Sequence, residues 1–318
     1  MTSRIASAIA LLALAAAPAW IGSDYYLNVL SQVLIGAIFA LALNVIVGYG
    51  GLVSIGHGAL FGIAAYAAAL LLNAGYGHFA AIVFGLLVTL VATALFAVLS
   101  LRASGIGFMM ITLAIGQLLW GLAYRWVTLT NGDNGINLAA RPQPFGLSLA
   151  GADAFFYATL LVFLAALVSM TSFIRSPFGE SLVGTREQPR RMTALGFSVW
   201  RIRFFACLFS GMWSGVAGLL FMYYNQFISP HAMSLSASAE ALLMVIAGGS
   251  GTVLGPIAGA ALVVIMKFVA SAYIERWNFV LGAIFVFIVL VMPEGVLPGS
   301  ARLLGAAWGK LKGTDARA

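Results

Sequence analysis

Long apolar runs, interrupted by short polar or basic stretches, divide the chain into ten segments almost free of Asp, Glu, Lys and Arg. They cover roughly 5–22, 26–48, 57–73, 79–101, 105–124, 154–174, 204–224, 240–250, 256–274 and 277–293. A hydrocarbon core about 30 Å thick is crossed by about 20 apolar helical residues. Strands of a membrane barrel would instead alternate over about ten residues. The runs here are continuous and rich in Ala, Leu and Val. The pattern therefore predicts an all-α polytopic membrane protein with about ten transmembrane helices. The eighth run is short and breaks at Gly248-Gly249-Ser250-Gly251, which predicts a broken or re-entrant helix. Such backbone is tolerated in a membrane only where protein buries it or a wet cavity receives it.

Composition strengthens this picture. The 318 residues are 62% hydrophobic and 8% charged, with mean hydropathy +1.04. A soluble domain carries about a quarter charged residues. The net charge of +7 does not point to nucleic acid, because the cations fall at segment ends and in one loop. That loop, 175–203, holds six arginines against Glu180 and Glu187. Basic loops stay in the cytoplasm. Placing 175–203 there puts both the N and C termini in the cytoplasm as well. Twelve of the sixteen Lys and Arg residues then lie inside, Arg125, Arg141 and Arg276 lie outside, and Lys267 lies within a span. The expected organisation is one transmembrane domain over 1–318, with a cytoplasmic loop at 175–203 and a basic tail at 299–318. Arg4, the apolar stretch after it and Ala15-Ala16-Ala17 also fit a cleaved signal peptide. Cys207 is the single cysteine and reads as a small core residue.

The longest outer loop, 128–153, carries the turn residues Asn131-Gly132-Asp133-Asn134-Gly135, then Pro142 and Pro144. Two glycine-rich stretches echo one another: Gly48-Tyr49-Gly50-Gly51 before Gly56-His57-Gly58, and Gly248-Gly249 before Gly255-Pro256 and Gly259. They suggest an internal repeat of the kind many transporters contain.

Within the basic loop, Thr185-Arg186-Glu187-Gln188 fits the capping pattern S/T-x-x-E/Q. Pro189 suits a first turn and Gly196 a helix end. Pro189, Met192 and Leu195 recur on one face. Such a short amphipathic helix either lies on anionic lipid or docks into a partner protein. Polar residues inside spans are costly and often functional. The candidates are Asn44, His57, Thr112, Gln117, Glu240 and Lys267. For His57 the choice is between lining a pathway and a satisfied interface histidine. Glu240 is expected at the start of the broken helix, where the dipole favours a carboxylate. Lys267 would pair with a neighbour or snorkel. The glycines 251, 255 and 259 are spaced for close helix packing. No catalytic residues stand out: His57, His78 and His231 are scattered, with no nucleophile–base or metal-ligand cluster. The run Gly305 to Lys310 lacks the spacing and hydroxyl of a phosphate-binding loop.

The stretch Gly184-Thr185-Arg186-Glu187-Gln188-Pro189-Arg190-Arg191-Met192-Thr193-Ala194-Leu195-Gly196 resembles the cytoplasmic coupling loop of ABC importer permeases of the branched-chain amino acid (LivH/LivM) type. The small-residue helix 200–220 that follows resembles theirs too. Three further stretches resemble signatures of the LivM branch. One is Asn44-Val45-Ile46-Val47-Gly48-Tyr49-Gly50-Gly51, continuing through Ser54, Gly56, His57, Gly62 and Tyr66. The second is Leu129-Thr130-Asn131-Gly132 with Gly135-Ile136, where Asn131 departs from the pattern. The third is 238–249 with Glu240, then Gly251, Gly255 and Pro256. Together they span about 25–299.

The resemblance implies a permease subunit of the bacterial inner membrane that moves branched-chain amino acids or similar small solutes by alternating access. It implies a second homologous permease, two cytoplasmic ATPase subunits that bind ATP and Mg, and a periplasmic solute-binding protein. No cofactor is expected in this chain. Coupling to the ATPase would rest on Arg186, Glu187, Ala194, Leu195 and Gly196. The translocation pathway would draw on Asn44, His57, Thr112, Gln117 and Glu240. An ion-coupled secondary transporter or channel is the alternative, and Glu240 is the one plausible intramembrane carboxylate for it.

Overall fold

The computed structural model describes residues 23–138 and 151–273, with a few isolated positions outside these ranges. Most of the first and tenth apolar runs, Pro142, Pro144, Arg141, the alanines of the signal-peptide pattern and the basic tail lie outside the described residues. Eleven helices are described: α1 (Asp24–Asn44), α2 (His57–Asn73), α3 (His78–Ser100), α4 (Ile106–Arg125), α5 (Val127–Thr130), α6 (Ala152–Ile174), α7 (Pro177–Glu187), α8 (Pro189–Ala194), α9 (Val199–Asn225), α10 (Leu235–Gly248) and α11 (Leu254–Tyr273). Among the described residues, six helices are long and apolar enough to span a membrane, and α2 and α10 are shorter apolar helices. The chain is an all-α polytopic membrane protein with six clear and up to eight candidate spans.

α1 is the hub. It packs against α6, α9, α10 and α11, and 78% of its apolar window is buried. By contrast α3 and α4 are only 28% and 22% buried. Their outward rows of Phe, Leu and Val (Phe79, Leu87, Val91, Leu95 and Leu118 among them) are largely exposed. Such surface suits lipid or a partner helix, not water. After α5, Asn131 (φ 62°), Gly132 (φ 58°) and Gly135 (φ 67°) turn the chain as their residue types predict. They deliver β1 (Ile136–Asn137), which pairs antiparallel with β2 (Phe227–Ile228).

Two features of the interior position the functional groups. α1 widens at its end into a π-turn, Val45–Tyr49, closed by Gly50 N–H on Val45 O at 3.0 Å and Leu52 N–H on Ile46 O at 2.9 Å. From there residues 51–56 run without helix before α2 starts at His57. The N-terminus of α2 meets that of α10, where Gly58 N–H donates to Ser238 Oγ at 3.1 Å.

Two expectations about helix starts are corrected. The basic loop does not begin a helix at Thr185. α7 starts earlier, at Pro177, with Ser176 Oγ accepting from Gly179 N–H at 3.2 Å. Serine at the cap and proline in the first turn already satisfy the start. Thr185 therefore lies in the last turn of α7, its hydroxyl donating to Leu182 O at 2.8 Å. The break falls at Gln188 (φ −146°, ψ 83°), because the residue before a proline is pushed out of the helical region. Likewise α10 starts at Leu235, capped by Ser234 Oγ on Ala237 N–H at 3.2 Å. Glu240 thus sits in the second turn of α10, too far along to cap it.

Candidate functional site: the basic loop and its clasp

At the C-terminal end of α1, Asn44 is 1% exposed. Its Nδ2 donates to Thr252 O at 2.8 Å, and its Oδ1 accepts from Gly251 N–H at 3.0 Å. One amide side chain thereby satisfies both polar groups of the turn between α10 and α11. The turn continues the pattern: Thr252 Oγ1 donates to Gly249 O at 2.9 Å and accepts from Gly255 N–H at 3.0 Å, capping α11. The two glycine stretches singled out in the sequence thus lie against each other. A Cβ at Gly48 would overlap both Asn44 Oδ1 and Gly251 N, so only glycine fits there.

The loop is fastened to this turn. Arg186 Nη1 donates to Gly48 O, and the arginine stem crosses Gly51, where a Cβ would stand 2.6 Å from its Cγ. A second strap joins α9 to the end of α7: Arg203 Nη2 donates to Thr185 O at 2.8 Å. Beyond Arg186 the chain turns outward. α8 has no buried residue, although Met192 folds back over Gly184. Leu195 does not share that cover and is 65% exposed. α8 ends as its sequence predicts, with Gly196 at φ 87° and Phe197 N–H on Met192 O at 3.0 Å. Phe197 and Trp200 are also exposed. Behind the tip lies a concavity of about 340 Å³ between Phe178, Phe197, Arg201 and Phe205. Of the five residues expected to couple, Arg186 is exposed but reaches back to Gly48 through its guanidinium, and Glu187, Ala194, Leu195 and Gly196 sit on the exposed tip.

The other polar candidates divide into two groups. His57 is 1% exposed, with Nδ1 2.7 Å from Ser54 Oγ and Nε2 3.0 Å from Ser210 Oγ. Ser210 spends its only proton on Ala42 O at 2.6 Å. It must therefore accept from His57, which places the ring proton on Nε2 and makes Nδ1 the acceptor of the Ser54 hydroxyl. The chain Ser54, His57, Ser210, Ala42 runs in one direction with every member satisfied. Thr112 joins this neighbourhood. It is fully buried, its Oγ1 accepts from Ile55 N–H at 3.3 Å and donates to Met109 O at 2.8 Å. Asn44, His57 and Thr112 thus hold irregular backbone inside the apolar core. Gln117 is half-buried on α4. Glu240 stands apart, bonded to Lys267 Nζ at 3.2 Å, so the lysine pairs with a neighbour and the carboxylate has a cation in place of a helix end. Ser54, Ser210, Ser238 and Thr252 carry as much of this network as the residues singled out. Ser210 and Thr252 carried a signal, a small hydroxyl beside glycine in an apolar run, but partners such as those of Ser210 and Ser238 are distant in sequence.

A multi-span, all-helical protein with an anchored basic loop exposing an apolar tip belongs to the class of transport permeases. Residues 25–289 match the family described as branched-chain amino acid transport system / permease component, and the chain belongs to that family. It is 29% identical over 332 residues to the high-affinity branched-chain amino acid transport system permease protein LivM of Salmonella typhimurium, covering 97% of this chain and 78% of that protein. The LivM of Escherichia coli K12 gives 29% identity with the same coverage. The corresponding LivH of Escherichia coli K12 is 26% identical over 184 residues, 54% of this chain and 58% of that one. No solved structure matches. The chain is accordingly a multi-pass inner-membrane permease component and not an enzyme.

Proposed function

We propose that this chain is one of two transmembrane subunits of an ATP-driven importer for branched-chain amino acids or similar small zwitterions. A second homologous permease completes the pathway. Two cytoplasmic ATPase subunits bind ATP and Mg, and a periplasmic binding protein delivers the solute. In this reading the chain forms one permease domain of about ten spans with cytoplasmic termini, and the tail at 299–318 is cytoplasmic too. Segment 175–203 is the coupling loop. Glu187, Ala194, Leu195 and Gly196 make the contact with the ATPase, and Arg186 passes the displacement inward to Gly48 and the turn before α11. Asn44, His57 and Thr112 shape the pathway's backbone; Gln117 and Glu240 are its candidate lining groups.

The observation that carries the proposal is the contrast within the loop: a root tied by Arg186 and Arg203, and a tip with Leu195, Phe197 and Trp200 exposed. An exposed apolar tip on a rigid stalk is what a partner groove needs. An ion-coupled mechanism has less support, because Glu240 is already engaged by Lys267. Co-expression with the neighbouring ATPase subunits tests the reading. Copurification and ATP-dependent uptake into proteoliposomes are expected. Uptake by the chain alone, driven by an ion gradient, would overturn it.

A further inference from the structure

Lys267 Nζ lies 3.2 Å from both oxygens of Glu240, so the pair joins two apolar helices. Gly248 and Gly255 pack together at the C-terminal end of α10 and the N-terminal end of α11. From that level Glu240 lies about 12 Å along α10 and Lys267 about 18 Å along α11, at about 1.5 Å per residue. Measured from that level, a hydrocarbon core about 30 Å thick spans both positions. Yet the pair is not sealed, with the lysine side chain 40% and the glutamate 21% exposed.

Neither lipid nor stability accounts for this. Charged groups at such depth face protein or a wet cavity, and apolar residues of similar size would hold α10 to α11 at least as well. The flank of α11 towards α1 is occupied, since the next residue, Phe268, meets Tyr25 edge-on at 6.4 Å. Charged pairs within apolar spans commonly mark solute routes. α10 is one of the two short helices whose N-termini meet inside the protein, which is where transporters present polar groups to solutes.

We propose that Glu240 and Lys267 form the polar subsite for a zwitterionic amino acid. The carboxylate takes the solute's α-ammonium and the lysine its α-carboxylate. Without solute the two side chains neutralise one another. With solute they exchange one ion pair for two, and the site stays neutral throughout. A carboxylic acid lacking the amine, or an amine lacking the carboxylate, would upset the neutrality of the pair, so both are disfavoured. This inference rests on the permease reading and deepens it by assigning the solute's charged groups to named side chains.

The test uses the complete reconstituted importer in a Cys207→Ser background. Lys267→Cys is expected to react with a membrane-impermeant, charged methanethiosulfonate, and leucine at saturating concentration is expected to slow that reaction at least about fivefold. No reaction, or reaction unaffected by leucine, overturns the proposal. In parallel, the charge-free pair Glu240→Gln with Lys267→Gln is expected to lower leucine uptake at least about tenfold while the amount of assembled complex in the membrane stays near wild type. Wild-type uptake would show a merely structural pair and overturn the proposal. If the double variant does not assemble, the labelling result decides. Failure of the unsubstituted complex to couple ATP hydrolysis to uptake would strike the permease reading instead, so the two failures are distinguishable.

Discussion

The root and the tip of the 175–203 segment are neighbours in sequence and opposites in construction. At the root, Asn44, Gly48, Arg186, Gly251 and Thr252 interlock so closely that a single added carbon does not fit. At the tip, residues 187–198 are almost all exposed, and Met192 alone reaches back to cover the loop. The root is stiff and closed, and the tip is open and adds little stability; in the proposed reading the tip supplies the recognition. A displacement applied at the tip has two tied routes inward, through Arg186 to the end of α1 and through Arg203 to α9.

Substitutions can separate the two. Gly48→Val forces two side-chain carbons against Asn44 and Gly251 and should cost about 3 kcal/mol or more. Little folded protein should reach the membrane, as read by size-exclusion of a fluorescent fusion, and a normal monodisperse peak would break the account of the root. At the tip, Glu187→Lys with Gly196→Trp reverses a charge and puts a bulky residue at positive φ. Transport should be lost while membrane level is retained; unchanged uptake would remove the coupling assignment. His57→Ala deletes the centre of the Ser54–Ser210 chain and leaves buried hydroxyls short of a partner, at a cost of about 2–4 kcal/mol. Thermal unfolding in detergent should show that loss, and an unshifted midpoint would contradict the hydrogen-bond directions assigned here. The smallest effect on stability is expected for Leu195→Ser, within about 0.5 kcal/mol, together with weaker ATPase copurification. A large drop in stability there would mean that the tip is packed after all.

Much of this architecture was legible in the sequence. The run 57–73 coincides with α2, and the runs 79–101, 105–124 and 154–174 fall within two residues of α3, α4 and α6 at each end. Apolar length alone fixes such boundaries. Gly196 ended its helix as glycine should, and the Asn131–Gly135 turn adopted positive φ at the residues suited to it. Local signals failed where a stronger one stood nearby. Ser176-Pro177 had already started the helix that Thr185 was expected to cap, and Ser234 did the same for Glu240. Pairings between distant residues were not legible at all. Asn44 and Gly251 are 207 positions apart, and nothing in either local pattern specifies that they meet. The lysine within a span was visible, but its partner on another helix depended on how α10 and α11 pack.

The central claim is that the tip of this loop is gripped by a cytoplasmic ATPase. The most direct test places a single thiol at the tip, Leu195→Cys in the Cys207→Ser background, and crosslinks it in the assembled complex with and without ATP. The account predicts one dominant product joining the permease to the ATPase subunit, with a yield that changes with nucleotide. Crosslinks to lipid alone, or labelling of this position from the periplasmic side, would contradict it.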